Sequence, residues 1–155
     1  MAAERTNVSN ELVWQLTRSQ NAYLVRRNTG GGSQFSRDPL NLQNKHSLKY
    51  AGFANNKAIG VQAAENGGVT VIAKKASTPQ QPGQTEIVVN YGPKTSTRKI
   101  YKGVATLAAK NGYRADVREE AVARVSAIRQ SQQAKKDTPA KKARGVKAQA
   151  VEASE

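Results

Sequence analysis

The 155-residue sequence contains no cysteine, which excludes a disulfide scaffold, a cysteine-ligated zinc site and a thiol nucleophile. It has a single histidine, His46, so no site that needs two imidazoles can form. Aromatic residues make up only 5%, and Leu, Ile, Val and Phe together number 28 of 155. Acids are also scarce, 11 against 25 lysines and arginines, leaving a net charge of +14. So few large apolar residues beside so much charge of one sign is the composition of chains that stay unfolded. No stretch approaches the run of about 18 apolar residues that spans a membrane. The first twenty residues have no apolar segment of the kind a secretion signal carries. These absences point to a small intracellular protein whose natural partner is a polyanion.

The apolar deficit is uneven. Of the 28 large apolar residues, 25 fall between Ser9 and Arg129. The chain therefore divides into a flexible N-terminus (1–8), one α+β domain (9–133) and a basic Ala/Lys-rich tail (134–155). Twenty-three alanines make the expected core shallow. The densest positive segment is 90–129, with nine basic and three acidic residues.

Apolar periodicity predicts the elements. Ser9 to Gln20 suits a short helix capped by Ser9, with Leu12, Val13 and Leu16 at helical spacing. Ala22 to Arg26 suits a strand, Asn28 to Ser33 a flexible loop that Asp38-Pro39 extends, and Ser47 to Gly52 a second strand. Ile59, Val61 and Ala63 alternate, as do Val69, Val71 and Ala73. A three-residue Asn66-Gly67-Gly68 loop would pair Ala63 with Val71 and Val61 with Ala73, placing all six on one face. Ser77 to Gln84 suits a surface loop and Glu86 to Tyr91 a further strand.

Two helices follow. Thr97 to Lys110 carries Ile100, Val104 and Leu107 on one side and Arg98, Lys99, Lys102 and Lys110 on the other. Gly103 within it costs about 1 kcal/mol relative to Ala, so tertiary contacts must hold the helix. The last helix, from Arg114 or Asp116 to Gln133, has an apolar stripe of Val117, Ala121, Val125 and Ile128. The fold class is thus α+β: a small antiparallel sheet with an N-terminal helix and two C-terminal helices, followed by a basic low-complexity tail.

Catalytic patterns are missing. The one adjacent acid pair, Glu119-Glu120, sits opposite the apolar stripe and suits a solvated helix face. His46 suits a surface or RNA contact. Gly30-Gly31-Gly32 is not followed by Lys and Ser/Thr, so it suits a flexible loop rather than a phosphate-binding one. No enzyme, cofactor or metal site is expected.

The basic residues carry more information. On a helical wheel Arg114, Arg118 and Arg129 fall within roughly 60° of arc beside the apolar stripe, and Arg124 flanks its other side. Guanidinium groups so placed can pair bidentately with phosphate. Tyrosines interleave with basics at Tyr23, Tyr50, Tyr101 and Tyr113, an arrangement that suits base stacking beside phosphate contacts or, equally, the filling of a core. On strands, Tyr23 and Tyr50 favour the core; Tyr101 and Tyr113 stay open. No RNA-recognition motif, helix-turn-helix or basic zipper is present. Binding through phosphate and shape suits structured RNA better than a DNA operator.

The segments Leu12-Val13-Trp14-Gln15-Leu16 and Asn21-Ala22-Tyr23-Leu24-Val25-Arg26-Arg27-Asn28 resemble the opening of the eukaryotic large-subunit ribosomal protein family number twenty-eight, unrelated to the bacterial protein of that number. The resemblance continues through Ser47-Leu48-Lys49-Tyr50, Ile59-Gly60-Val61-Gln62, Gly68 to Ile72 and Asn111 to Arg118, and covers about residues 9–133. It implies an α+β fold, a structural role in the cytosolic 60S subunit after nucleolar passage, and ribosomal RNA and neighbouring ribosomal proteins as partners. It implies no catalytic residue, small-molecule substrate or membrane. The matching basic positions are Arg26, Arg27, Lys49, Lys74, Lys75, Arg114, Arg118, Arg124 and Arg129, carried over as RNA contacts as a group. Arg98, Lys99, Lys102 and Lys110, with Lys135, Lys136, Lys141, Lys142 and Arg144 of the tail, complete the expected RNA-binding set. The sequence departs from the family in a longer Gly30–Gly32 loop and in Ala115, where proline is frequent. The alternative is a nucleolar large-subunit assembly factor that shares the domain.

Overall fold

The computed structural model describes residues 8–77 and 81–138. Helix α1 (Asn10–Thr17) starts where Ser9 Oγ accepts from the Leu12 N–H at 3.1 Å, so the expected cap is present. The helix ends three residues earlier than its spacing predicts. Asn21 Oδ1 accepts from the Tyr23 N–H and draws the chain into a turn.

Strand β1 (Leu24–Arg26) pairs antiparallel with β2 (Gln34–Ser36), a strand within the stretch where only loop is expected. The glycine loop is the tip of this hairpin. The second sheet has the order β3-β4-β5, all antiparallel, from β3 (Ile59–Ala63), β4 (Val69–Lys74) and β5 (Glu86–Tyr91). Helices α2 (Thr97–Ala109) and α3 (Arg118–Ser131) pack together over one face of it.

The strand expected at Ser47 to Gly52 is absent; residues 47–55 form successive turns instead. Side chains satisfy this backbone where a ladder would otherwise do so. Asp38 Oδ2 accepts from the N–H groups of Gly52 (2.7 Å) and Phe53 (3.2 Å). Asn55 Nδ2 donates to the Leu48 and Ala51 carbonyls, and Lys74 Nζ to those of Gly52 and Asn55. Buried backbone groups need partners, and here they find them off the ladder.

The β3–β4 hairpin keeps its expected face but not its register. Val61 pairs with Val71 and Ile59 with Ala73, a shift of one residue in the turn. The Ala64 N–H donates to the Gly68 carbonyl, so the three-residue loop is Glu65-Asn66-Gly67. Gly68 is fixed outside that loop by packing. It has φ +93°, and a Cβ there would lie 2.1 Å from the Tyr91 carbonyl oxygen of β5. Ala63, at the end of the stripe, is exposed.

The main core joins Ile59, Val61, Val69 and Val71 of the sheet to Ile100, Val104 and Ala108 of α2 and Val117, Ala121 and Val125 at and on α3. Fully burying one of these valines or isoleucines is worth roughly 1.5–3 kcal/mol. A second, smaller cluster holds Trp14, Ala51 and Ala54. Gly103 is explained by contact: a Cβ on it would meet the Tyr91 hydroxyl at 2.3 Å. Tyr23, expected in the core, is 37% exposed and stacks on Phe53 at 6.0 Å. Tyr50 does pack against the main core.

Candidate nucleic-acid interface

Helix α2 buries Ile100, Val104 and Ala108 and turns Arg98, Lys99 and Lys102 outward, and Lys110, which ends it, is exposed as well. Beside it, Arg118 opens α3 and is also exposed. Arg98, Tyr101 and Lys102 from α2 and Arg118, Glu119 and Val122 from α3 line an open groove between the two helices. The side chains of Arg98, Lys99, Lys102, Lys110 and Arg118 have no hydrogen bond or ion pair among the described residues. Cations left unpaired around a half-buried tyrosine can meet phosphates while the ring offers a stacking surface.

Other expected contact residues are engaged within the protein. Arg114 forks onto Asp116 at 2.8 and 2.9 Å and donates to the Lys57 and Lys49 carbonyls at 2.7 and 2.8 Å. Its side chain is only 15% exposed. Hydrogen bonding to Arg114 holds the Asp116 carboxyl below its ordinary value. Arg114 does not share an arc with Arg118 and Arg129. Asn111 has φ +57°, and residues 110–117 form two 3-10 turns, so the wheel does not extend that far.

Glu120 is not on a solvated face. Its Oε1 accepts from Lys49 Nζ at 2.7 Å and from the Tyr50 hydroxyl at 2.9 Å, with the side chain 16% exposed. This pairing lowers the pKa of Glu120 and raises that of Lys49. Lys74 is half-buried on the Gly52 and Asn55 carbonyls, and burial lowers its pKa. The Tyr113 hydroxyl is shared between the Lys74 and Ala58 carbonyls, and burial raises its pKa. Tyr113 is thus a pin in the fold, not an open stacking surface. His46 Nε2 lies 2.9 Å from the Arg18 carbonyl, and its ring leans on Trp14 at 4.8 Å.

The remaining basic residues spread over the molecule. Arg124 reaches the Leu42 carbonyl (3.4 Å), and Arg129 reaches that of Pro93 (3.1 Å). Arg26 contacts the Ser19 carbonyl and, with exposed Arg27, marks the first hairpin. Lys75 lies at the far end of the second sheet, and Lys135 and Lys136 are exposed beyond α3. Lys141, Lys142 and Arg144 lie outside the described residues, as does most of the expected tail. Lys57 was not singled out from sequence; its Nζ lies over the Tyr113 ring at 5.9 Å. The only local signal was its place just before β3.

A cationic helical surface on an α+β frame is common to many RNA-associated proteins, and comparison with known families decides among them. Residues 12–131 match the Ribosomal L28e protein family. The chain belongs to this family. The large ribosomal subunit protein eL28 of Schizosaccharomyces pombe is 40% identical over 134 residues, spanning 84% of this chain and 97% of the relative. The eL28 of Dictyostelium discoideum is 36% identical over 140 residues, 88% and 98% of the two chains. That of Caenorhabditis elegans is 37% identical over 95 residues, 61% and 74% of the two chains. The family is eukaryotic and consists of structural ribosomal proteins, not enzymes. Among the described residues no helix is long and apolar enough to cross a membrane.

Proposed function

We propose that this protein is a structural constituent of the cytosolic large ribosomal subunit that clamps folded ribosomal RNA through Lys/Arg–phosphate contacts. Its RNA-binding domain spans residues 9–133, and nucleolar passage precedes its place in the subunit. The observation that supports this most is the set of unpaired side chains Arg98, Lys102 and Arg118 around Tyr101. Membership of a family whose relatives are named as large-subunit proteins supports the ribosomal setting. Arg114, Lys49 and Lys74 act mainly by holding the frame that presents this surface.

Filter binding of the purified chain to large-subunit RNA across a salt series tests the reading. Each phosphate contact contributes about −0.9 to the slope of log affinity against log salt. Arg98→Glu with Arg118→Glu should reduce the slope by about 2 and leave the melting temperature nearly unchanged. An unchanged slope would reject the surface. Sedimentation with translating ribosomes separates a constituent from the nucleolar assembly factor that shares the domain; recovery only in precursors would favour the latter.

A further inference from the structure

The helical layer leaves part of the second sheet uncovered. Ile87, Val89 and Tyr91 of β5 lie opposite Ala73, Val71 and Val69 of β4, so they share the helix-facing side. The β4 residues are at most 3% exposed, whereas Ile87 keeps 44%. Between β5 and α2 runs a trough of about 600 Å³ lined by Ile87, Val89, Tyr91, Gly103 and Leu107. On the opposite face of the same strand Val88 is 53% exposed.

β5 is also an edge. It ends the order β3-β4-β5 and has no outer neighbour among the described residues. Open edges are normally blunted by lysine, proline or a bulge. Glu-Ile-Val-Val-Asn-Tyr has neither lysine nor proline, its one charged residue is Glu86 at the first position, and its register with β4 is unbroken. One end of the trough is strongly basic. Lys57, Lys75 and Lys110 gather where β5 begins and α2 ends, and no carboxylate is among the residues lining the trough.

We propose that β5 and this trough form a docking site for an extended segment of another protein, which adds as an antiparallel strand to the free edge. Alternate apolar side chains of that segment fill the trough, and acidic residues at its C-terminal end meet Lys57, Lys75 and Lys110. Backbone hydrogen bonds supply affinity in such strand addition, and the side-chain pockets supply selectivity. An RNA strand would satisfy the lysines, but it has no aliphatic surface for Ile87, Val89 and Leu107 and no amide ladder for the edge. A second copy would bring a further +14, and its one adjacent acid pair, Glu119-Glu120, sits on helix α3 with Glu120 held by Lys49 and Tyr50, so it cannot end an added strand.

The test uses the full chain and a fluorescent peptide, Thr-Val-Thr-Val-Thr-Val-Glu-Glu, read by anisotropy and by amide NMR shifts. Binding should shift the amides of β5 and of the C-terminal part of α2. Replacing the central valine of the peptide by proline, or its glutamates by lysine, should abolish binding. Ile87→Asp and Val88→Lys, both at exposed positions, should each weaken the peptide by at least about tenfold while leaving polyuridylate affinity intact. The proposal is overturned if the β5 amides do not move at millimolar peptide. It is equally overturned if polyuridylate displaces the peptide and shifts the same amides, or if the chain dimerises through β5.

Discussion

Arginine side chains in this protein divide into those that face outward and those that hold the fold. Arg114 and Arg118 are four positions apart, yet one binds three chain segments and the other is unpaired. Arg114→Gln should therefore cost about 2–3 kcal/mol of stability, because it leaves two carbonyls and a carboxylate without their charged donor. Arg118→Gln should leave thermal unfolding within about 0.5 kcal/mol of the parent and weaken RNA binding instead. Paired denaturation and binding curves distinguish the two; equal stability losses would show that the division is wrong. The sequence alone could not make this separation. Charge pattern reports which side chains are cationic, but the partners of Arg114 at Lys57 and Lys49 lie 57 and 65 residues away. Glu120 was misplaced for the same reason, since Lys49 and Tyr50 reach it from 71 and 70 residues earlier.

At the scale of elements, local periodicity carried much of the fold. The stripes of α2 and α3 and the shared face of β3 and β4 were legible because apolar spacing is a short-range signal. The turns at 47–55 were not, because Asp38, Asn55 and Lys74 supply their partners from outside any repeating pattern. Gly103 lies between the two cases: its cost was visible, but its cause, the Tyr91 ring, was not. Ala at that position should gain about 1 kcal/mol from helix propensity. The clash with the Tyr91 hydroxyl should outweigh this, so Gly103→Ala lowers stability in urea denaturation. Tyr91→Phe removes the nearest atom and should restore much of the loss. A double-mutant cycle with no coupling between the two positions would refute the contact.

The whole molecule should respond to acid through few groups. Glu120 and Asp116 have folded pKa values below the ordinary 4.5 and 3.8, lowered by Lys49 and Arg114 respectively. A depressed carboxylate contributes stability that is present above its unfolded value and lost as pH falls through its folded value. Thermal midpoints should therefore be nearly level from pH 7 to about 5 and fall below about 4.5. Glu120→Gln should lower the plateau and make the acid decline shallower. An unchanged acid limb in that variant would remove Glu120 from the account. On the alkaline side Lys49, raised by Glu120, and Tyr113, raised by burial, lose their contributions as pH rises, and Lys74, lowered by burial, works against them.

The Glu120 junction has a consequence for synthesis. A nascent chain emerges N-terminus first, so Lys49 and Tyr50 leave the exit tunnel long before their acceptor has been translated. Gly68 likewise waits for Gln132, whose side chain holds both of its peptide groups. A chain stalled with only its first 110 residues exposed should be cleaved readily by protease at 47–55, whereas one with α3 exposed should be protected there. Until α3 emerges, the turns at 47–55 lack the clasp that Glu120 and Arg114 provide, so this segment gains its full set of restraints only once α3 has left the tunnel.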